Sequence, residues 1–321
     1  MTVSPNNSAR SLWLVFIALG FFWGSSYLFI KLGVNAGLTP FTLVTLRLLV
    51  GSILLGTVLL FSRESLPRDP RVYVKIAILA FFAIALPFVL ITIAEQHVVS
   101  ALAATLTAPV PLFTIPFAAV MLHERITVAK VLGVIVGLIG VAVLMGFDPS
   151  QIGQTDLTFQ LVLVAAAISY GFGGVFARKY VTGMRPMVPA FIEVFSAMVM
   201  VAIGSLFFEN PIGQLTAMDS QAWVSILWLG VFGSGLAYIA FFRLIGAWGA
   251  TRTTLVAYLL PIWGIALGFI VLSEPLQQGL ILGTALIIAG IAFVNLDRQS
   301  VAAGGNRLRA RRNRQPAEIA R

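Results

Sequence analysis

A chain of 321 residues with 59% hydrophobic and only 10% charged residues cannot clothe its apolar surface in water, because soluble domains carry about 45–50% apolar and about 25% charged residues. Its solvent is lipid, and the net charge of +9 calls for no nucleic acid, since membrane proteins gather basic residues on the cytoplasmic side for orientation alone. With no cysteine in the chain, disulfides, thiolate metal sites, iron–sulfur clusters and cysteine nucleophiles are excluded.

Taken in order, apolar stretches predict helices near residues 12–32, 41–62, 72–94, 98–121 and 128–146, then 157–177, 187–208, 222–242, 250–272 and 277–296. Each approaches the roughly 20 residues that cross about 30 Å of hydrocarbon. The breaks between them are short and polar or rich in Pro and Gly, with no room for a soluble domain. The first stretch carries Trp23, Tyr27 and Phe29 where a cleaved signal would turn small and polar, so it is expected to be retained. The expected fold is an all-α integral membrane protein of ten transmembrane helices.

Orientation follows from Lys and Arg, which accumulate in cytoplasmic loops. With the N-terminus inside and ten crossings, nineteen of the 21 Lys and Arg residues fall on cytoplasmic segments, leaving Lys31 and Arg47 elsewhere. Both termini are therefore expected in the cytoplasm of a multi-pass cell-membrane protein.

The two halves repeat. At a constant offset of 150, Pro111 meets Pro261, Glu124 meets Glu274, Gly133 meets Gly283 and Gly140 meets Gly290. The same offset aligns Leu86 with Leu236 and Phe88 with Tyr238, and an offset of 147 aligns Gly24, Phe29 and Lys31 with Gly171, Phe176 and Arg178. Five helices per half is an odd number, so the second half crosses with opposite polarity. Such an inverted repeat gives two nearly equivalent conformations, open to either side of a midplane site. The expected units are residues 1–147 and 156–297, each a five-helix repeat, followed by a basic tail, 298–321.

On these residues the chain resembles the EamA-type, ten-helix members of the drug/metabolite transporter superfamily. The resemblance rests on the doubled segment from Pro111 or Pro261 to Gly140 or Gly290, on Phe22-Trp23-Gly24, and on Arg47 within Thr45-Leu46-Arg47-Leu48-Leu49. It implies a compact bundle with a central cavity between the halves, through which amino acids, other small metabolites or drugs pass. Ser273-Glu274-Pro275 replaces the family's Gly-Glu-Arg-like turn, and Pro109, Pro111 and Pro116 cluster in the first half. The expected activity is secondary transport by alternating access, as an exporter, without cofactor or metal. The competing readings are a membrane-embedded enzyme and a non-transporting structural or assembly protein.

Enzyme motifs are missing. His123-Glu124-Arg125 has no second histidine four residues on, as a zinc protease helix needs, and Gly171-Phe172-Gly173-Gly174 lacks the spacing and lysine of a phosphate loop. The glycines at 133, 140, 283 and 290 read as close helix packing, Pro111 and Pro261 as kinks, and Glu124 and Glu274 as interfacial charges at helix ends. Trp23, Ser26, Tyr238, Tyr258 and Trp263 are candidates to line the cavity, whereas Tyr27 reads as part of the interfacial aromatic belt.

Glu193, an acid expected within lipid, is the candidate for proton coupling. Arg47, about 9 Å into its helix at about 1.5 Å per residue, should face the bundle. It either pairs with Glu95 or meets a polar or carboxylate-bearing substrate. The tail, with five arginines from Arg307 to Arg314, is expected to be disordered and to meet anionic lipid.

Overall fold

The computed structural model describes residues 5–62, 64–144, 155–181, 184–185, 187–248, 253–276 and 279–293. Among them every regular element is helical. Eight helices are long and apolar enough to cross a membrane: α1 (Pro5–Asn35), α2 (Pro40–Ser62), α3 (Pro70–Glu95), α4 (Ser100–Leu122), α6 (Thr155–Tyr180), α7 (Met187–Phe208), α8 (Ser220–Trp248) and α9 (Leu255–Leu272). Two shorter apolar helices, α5 (Val128–Leu144) and α10 (Gly279–Phe293), follow α4 and α9. A surface helix, Pro211–Ala217, joins α7 to α8. The basic tail and the expected boundaries at 147 and 297 lie outside the described residues.

Large apolar side chains such as Leu60, Phe61, Val120, Phe207 and Ile270 stand exposed on the outside of the bundle. In water these would be an aggregation surface; in a bilayer they meet lipid tails, while the helices satisfy their own backbone.

Local features recur at the offset of 150. Asp69 and Asp219 cap α3 and α8 through the amides of Arg71 and Ala222. The ends of α4 and α9 are both closed by a left-handed residue, His123 and Ser273, each with φ 53° and ψ 33°, a conformation that satisfies the last carbonyls of a helix. π-helical turns interrupt α3 at Phe81–Ala85 and α8 at Leu229–Leu236. In α3 the turn precedes Pro87, which has no N–H to continue the ladder. In α8 it holds Gly230, Gly233 and Gly235, all weak helix formers. The kinks expected at prolines are partly breaks: α4 is interrupted at Ala108–Pro109, and the first turn of α9 belongs to a 3-10 segment, Thr254–Tyr258, that begins one residue before it and lies ahead of Pro261.

The halves interleave. Helix α1 packs on α8 and α9, α2 on α7 and α8, α3 on α6 and α7, and α4 on α6 and α9. Exchanging each helix for its counterpart five places on leaves this pattern of pairings unchanged, as in an isologous contact. Helices α5 and α10 touch through their glycines. A Cβ on Gly140 would lie 2.7 Å from the Ile287 nitrogen, one on Gly283 2.8 Å from the Gly140 carbonyl, and one on Gly290 2.6 Å from the Gly133 carbonyl. Only glycine allows backbones that close.

Candidate functional site

Arg47 lies on α2 and is almost completely buried. Its Nε donates to the Ser234 hydroxyl at 3.3 Å, and the guanidinium carbon sits 4.2 Å from the centroid of the Phe88 ring. Ser234 belongs to the π-helical turn of α8, and Phe88 follows the π-helical turn of α3. Both widened turns therefore converge on one cation. Glycines in α8 permit the approach: a Cβ on Gly230 would lie 3.0 Å from the Arg47 carbonyl, and one on Gly233 would lie 2.8 Å from Ser26 Oγ and 3.2 Å from Arg47 Nη2. Tyr27, Tyr170, Tyr238 and Glu95 are within electrostatic reach of the guanidinium.

The candidates from sequence divide around this cation. Ser26 shares the Gly233 niche with Arg47 while donating to the Phe22 carbonyl at 2.9 Å. Tyr238 is one helical turn after Ser234, and Trp23 packs edge-on against it with centroids 6.4 Å apart. Trp263 stands on the α9 side of α1, where its Cβ faces Gly24 and its ring meets Phe21 at 5.1 Å. Tyr258 lies in the 3-10 turn of α9, packed on the main apolar core. Glu193 is buried in α7 beside Ile192 and Val194, and reaches Tyr238 electrostatically.

Three expectations need correction. Tyr27 is buried, not in a surface belt, and its hydroxyl hydrogen-bonds Thr107 of α4. Helical phase decides this, since Tyr27 shares the face of α1 that packs on the bundle. Arg47 and Glu95 form no ion pair: the guanidinium is engaged by Ser234 and Phe88, and among the described residues neither Glu95 carboxylate oxygen accepts a hydrogen bond. Glu274 is at a helix end but is not a solvated interfacial charge. It is buried, and accepts from the amides of Ser100 and Ala101 at 2.7 and 3.0 Å and from the Ser100 hydroxyl at 3.1 Å. The N-cap position of α4 is Val99, whose side chain cannot accept a hydrogen bond, so a carboxylate from the other half replaces the missing cap.

Other polar contacts across the halves surround the same end of the bundle. Glu209 accepts from the amides of Phe41 and Thr42 at 2.9 and 2.7 Å, capping α2. Gln214 exchanges hydrogen bonds with Thr39, and Gln221 donates to the Leu32 carbonyl. Lys31 donates to the carbonyls of Glu95 and Val98 at 2.6 and 2.9 Å, closing the end of α3 within the first half. Near the opposite ends of α4 and α6, Glu124 pairs with Arg178 and lies 3.6 Å from Lys130.

Sequence reasoning did not single out Ser234, Trp228 or Thr107. The Trp228 indole donates to Ser25 at 3.0 Å and stacks on Phe29 with centroids 4.6 Å apart. The glycine cluster 230–235 was the available sign of Ser234, and the alignment of Phe88 with Tyr238 that of a shared niche. Chemically the site offers one planar cation with hydroxyls and aromatic faces around it, suited to a small molecule with a carboxylate or other polar group and an apolar body.

The family model described as the EamA-like transporter family matches residues 11–146 and again 158–296. A protein of Archaeoglobus fulgidus, described as an uncharacterized transporter, is 27% identical over 294 residues, covering 88% of this chain and 98% of its own. YoaV of Bacillus subtilis is 25% identical, covering 87% and 94%. The inner membrane transporter YedA of Escherichia coli is 29% identical, covering 88% and 89%. One crystal structure shares the fold at 22% identity with a TM-score of 0.63, covering 89% of this chain and 98% of the other. Two successive matches to one family model, together filling nearly all of the hydrophobic chain, place this protein in the EamA-like transporter family of the drug/metabolite transporter superfamily.

Proposed function

We propose that the protein is a secondary exporter that carries a small metabolite, amino acid or drug-like molecule across the cell membrane by alternating access. In this reading all ten apolar helices cross the bilayer as two inverted five-helix repeats, with both termini cytoplasmic. The exchange-symmetric pairing of α1–α4 with α6–α9 supports it, as do the caps, left-handed ends and π-helical turns that recur at an offset of 150. The distribution of Lys and Arg supports the orientation.

The observation that carries the reading is Arg47, a cation buried in a membrane protein and held between Ser234 of one half and Phe88 of the other. Such a group is costly in lipid and marks a substrate path. The substrate meets Arg47 through a carboxylate or another hydrogen-bond acceptor, with Ser26, Trp23 and Tyr238 beside it and Tyr258 and Trp263 on the α9 side. Reconstituted protein tested with labelled amino acids, organic acids and aromatic drugs, with and without an imposed pH gradient, checks this. Saturable flux that Arg47→Gln lowers by about tenfold or more is the expected result; an absence of protein-dependent flux across the whole set overturns it.

A further inference from the structure

Glu95 ends α3 with no exposed surface, and both of its carboxylate oxygens are buried without a hydrogen bond from the described residues. Two cations lie within electrostatic reach, Lys31 and Arg47, yet neither bonds the carboxylate. The Lys31 ammonium is committed to the carbonyls of Glu95 and Val98, and Arg47 to Ser234 and Phe88. The remaining titratable groups around it are Tyr27 on α1, Tyr170 on α6 near Arg47, Glu193 on α7 acting through Tyr238, and Glu274 after α9, already occupied by the α4 amides. His97, just beyond, stacks on Phe159 at 3.7 Å. From α4, the neighbouring polar side chains Ser100 and Thr107 are uncharged.

An ionised carboxylate sealed from water without donors is among the most expensive arrangements in a protein, whereas the neutral acid is tolerated. We propose that Glu95 binds the proton that couples transport, and that losing it draws Arg47 away from Ser234 in the second half and onto Glu95 in the first. The proton leaves as a single charge to the aqueous side then open, and the carboxylate left behind takes the guanidinium as its partner. Protonation restores the bond across the halves. One proton thus decides whether Arg47 bridges the two repeats or stays within one, which is the element that alternating access requires to be bistable. This deepens the transporter reading and rests on it. It also assigns the coupling proton to Glu95 in place of Glu193.

The chain has no cysteine of its own, so Ser26→Cys provides a single thiol in the Arg47 niche. Its reaction with a membrane-impermeant maleimide is followed from each side of oriented vesicles, in acidic and alkaline buffer, in the full-length protein. The expected result is access from both sides with a ratio that shifts with pH, loss of that shift in Glu95→Gln, and its retention in Glu193→Gln. A pH response that survives Glu95→Gln, vanishes in Glu193→Gln or is absent without either change overturns the proton site while two-sided access upholds the transporter reading. Access from one side only under every condition overturns both. Should Glu95→Gln fail to fold, the protein with Glu95 intact is treated with a hydrophobic carbodiimide, which modifies protonated buried carboxyls, and mapped by mass spectrometry. Modification at Glu95 that falls in alkaline buffer supports the proposal, and an unmodified Glu95 sinks it.

Discussion

The Glu274 carboxylate lies 2.7 Å from the backbone nitrogen of Ser100, joining the end of α9 to the start of α4 across the two halves. Because Val99 leaves α4 without a cap of its own, Glu274→Ala strands two buried amides and lowers stability by about 2 kcal/mol. Glu274→Gln keeps one acceptor oxygen and costs less. Thermal unfolding in detergent measures both, and an alanine variant that melts with the parent protein removes Glu274 as a support of α4.

Arg47→Gln retains a hydrogen-bonding side chain but loses the charge and the stacking on Phe88. A charge-assisted hydrogen bond is worth about 1.5–3 kcal/mol, so uptake per folded molecule falls roughly 10- to 150-fold. Arg47→Lys restores charge without the planar fork and recovers only part of it. Equal loss of stability and unchanged uptake would make Arg47 a strut between the halves.

Gly290→Leu drives a side chain into the Gly133 carbonyl and the Gly137 backbone, which a Cβ alone would approach to within 2.6–2.7 Å. The α5–α10 contact then opens at a cost of about 1–3 kcal/mol. Gly174 has nothing within 4 Å of its would-be Cβ, so Gly174→Ala is neutral or stabilising by up to about 1 kcal/mol. Comparing melting temperatures of the two variants separates packing glycines from permissive ones, and equal effects would contradict the close crossing.

Truncation after Asp297 removes the seven arginines from Arg298 to Arg321. Transport by correctly inserted protein is expected to be unchanged, because every candidate site residue precedes the tail. What is lost is attraction to anionic lipid, on the order of 1 kcal/mol per basic residue near the surface. Uptake assays on matched amounts of inserted protein test this, and a truncated form that inserts but does not transport refutes it.

Composition and periodicity by themselves determined that the chain is a helical membrane protein and where its apolar helices fall, because in lipid only helices and closed barrels satisfy the backbone, and continuous apolar runs of about 20 residues fit helices and not barrel strands. The offset of 150 likewise foretold which positions share a local conformation: the glutamates after the left-handed residues, and the glycines at which α5 and α10 meet. Tertiary structure decided what each buried polar group touches. Nothing in the sequence near Val99 says that its helix is capped by Glu274, and nothing near Arg47 says that Ser234 and Phe88, not Glu95, are its partners. Hydropathy sees only the cost of placing a charge in lipid. Which neighbour lowers that cost depends on helical phase, on the extra residue in each π-helical turn and on glycines that let α2 lie against α8, all set by how the halves interleave.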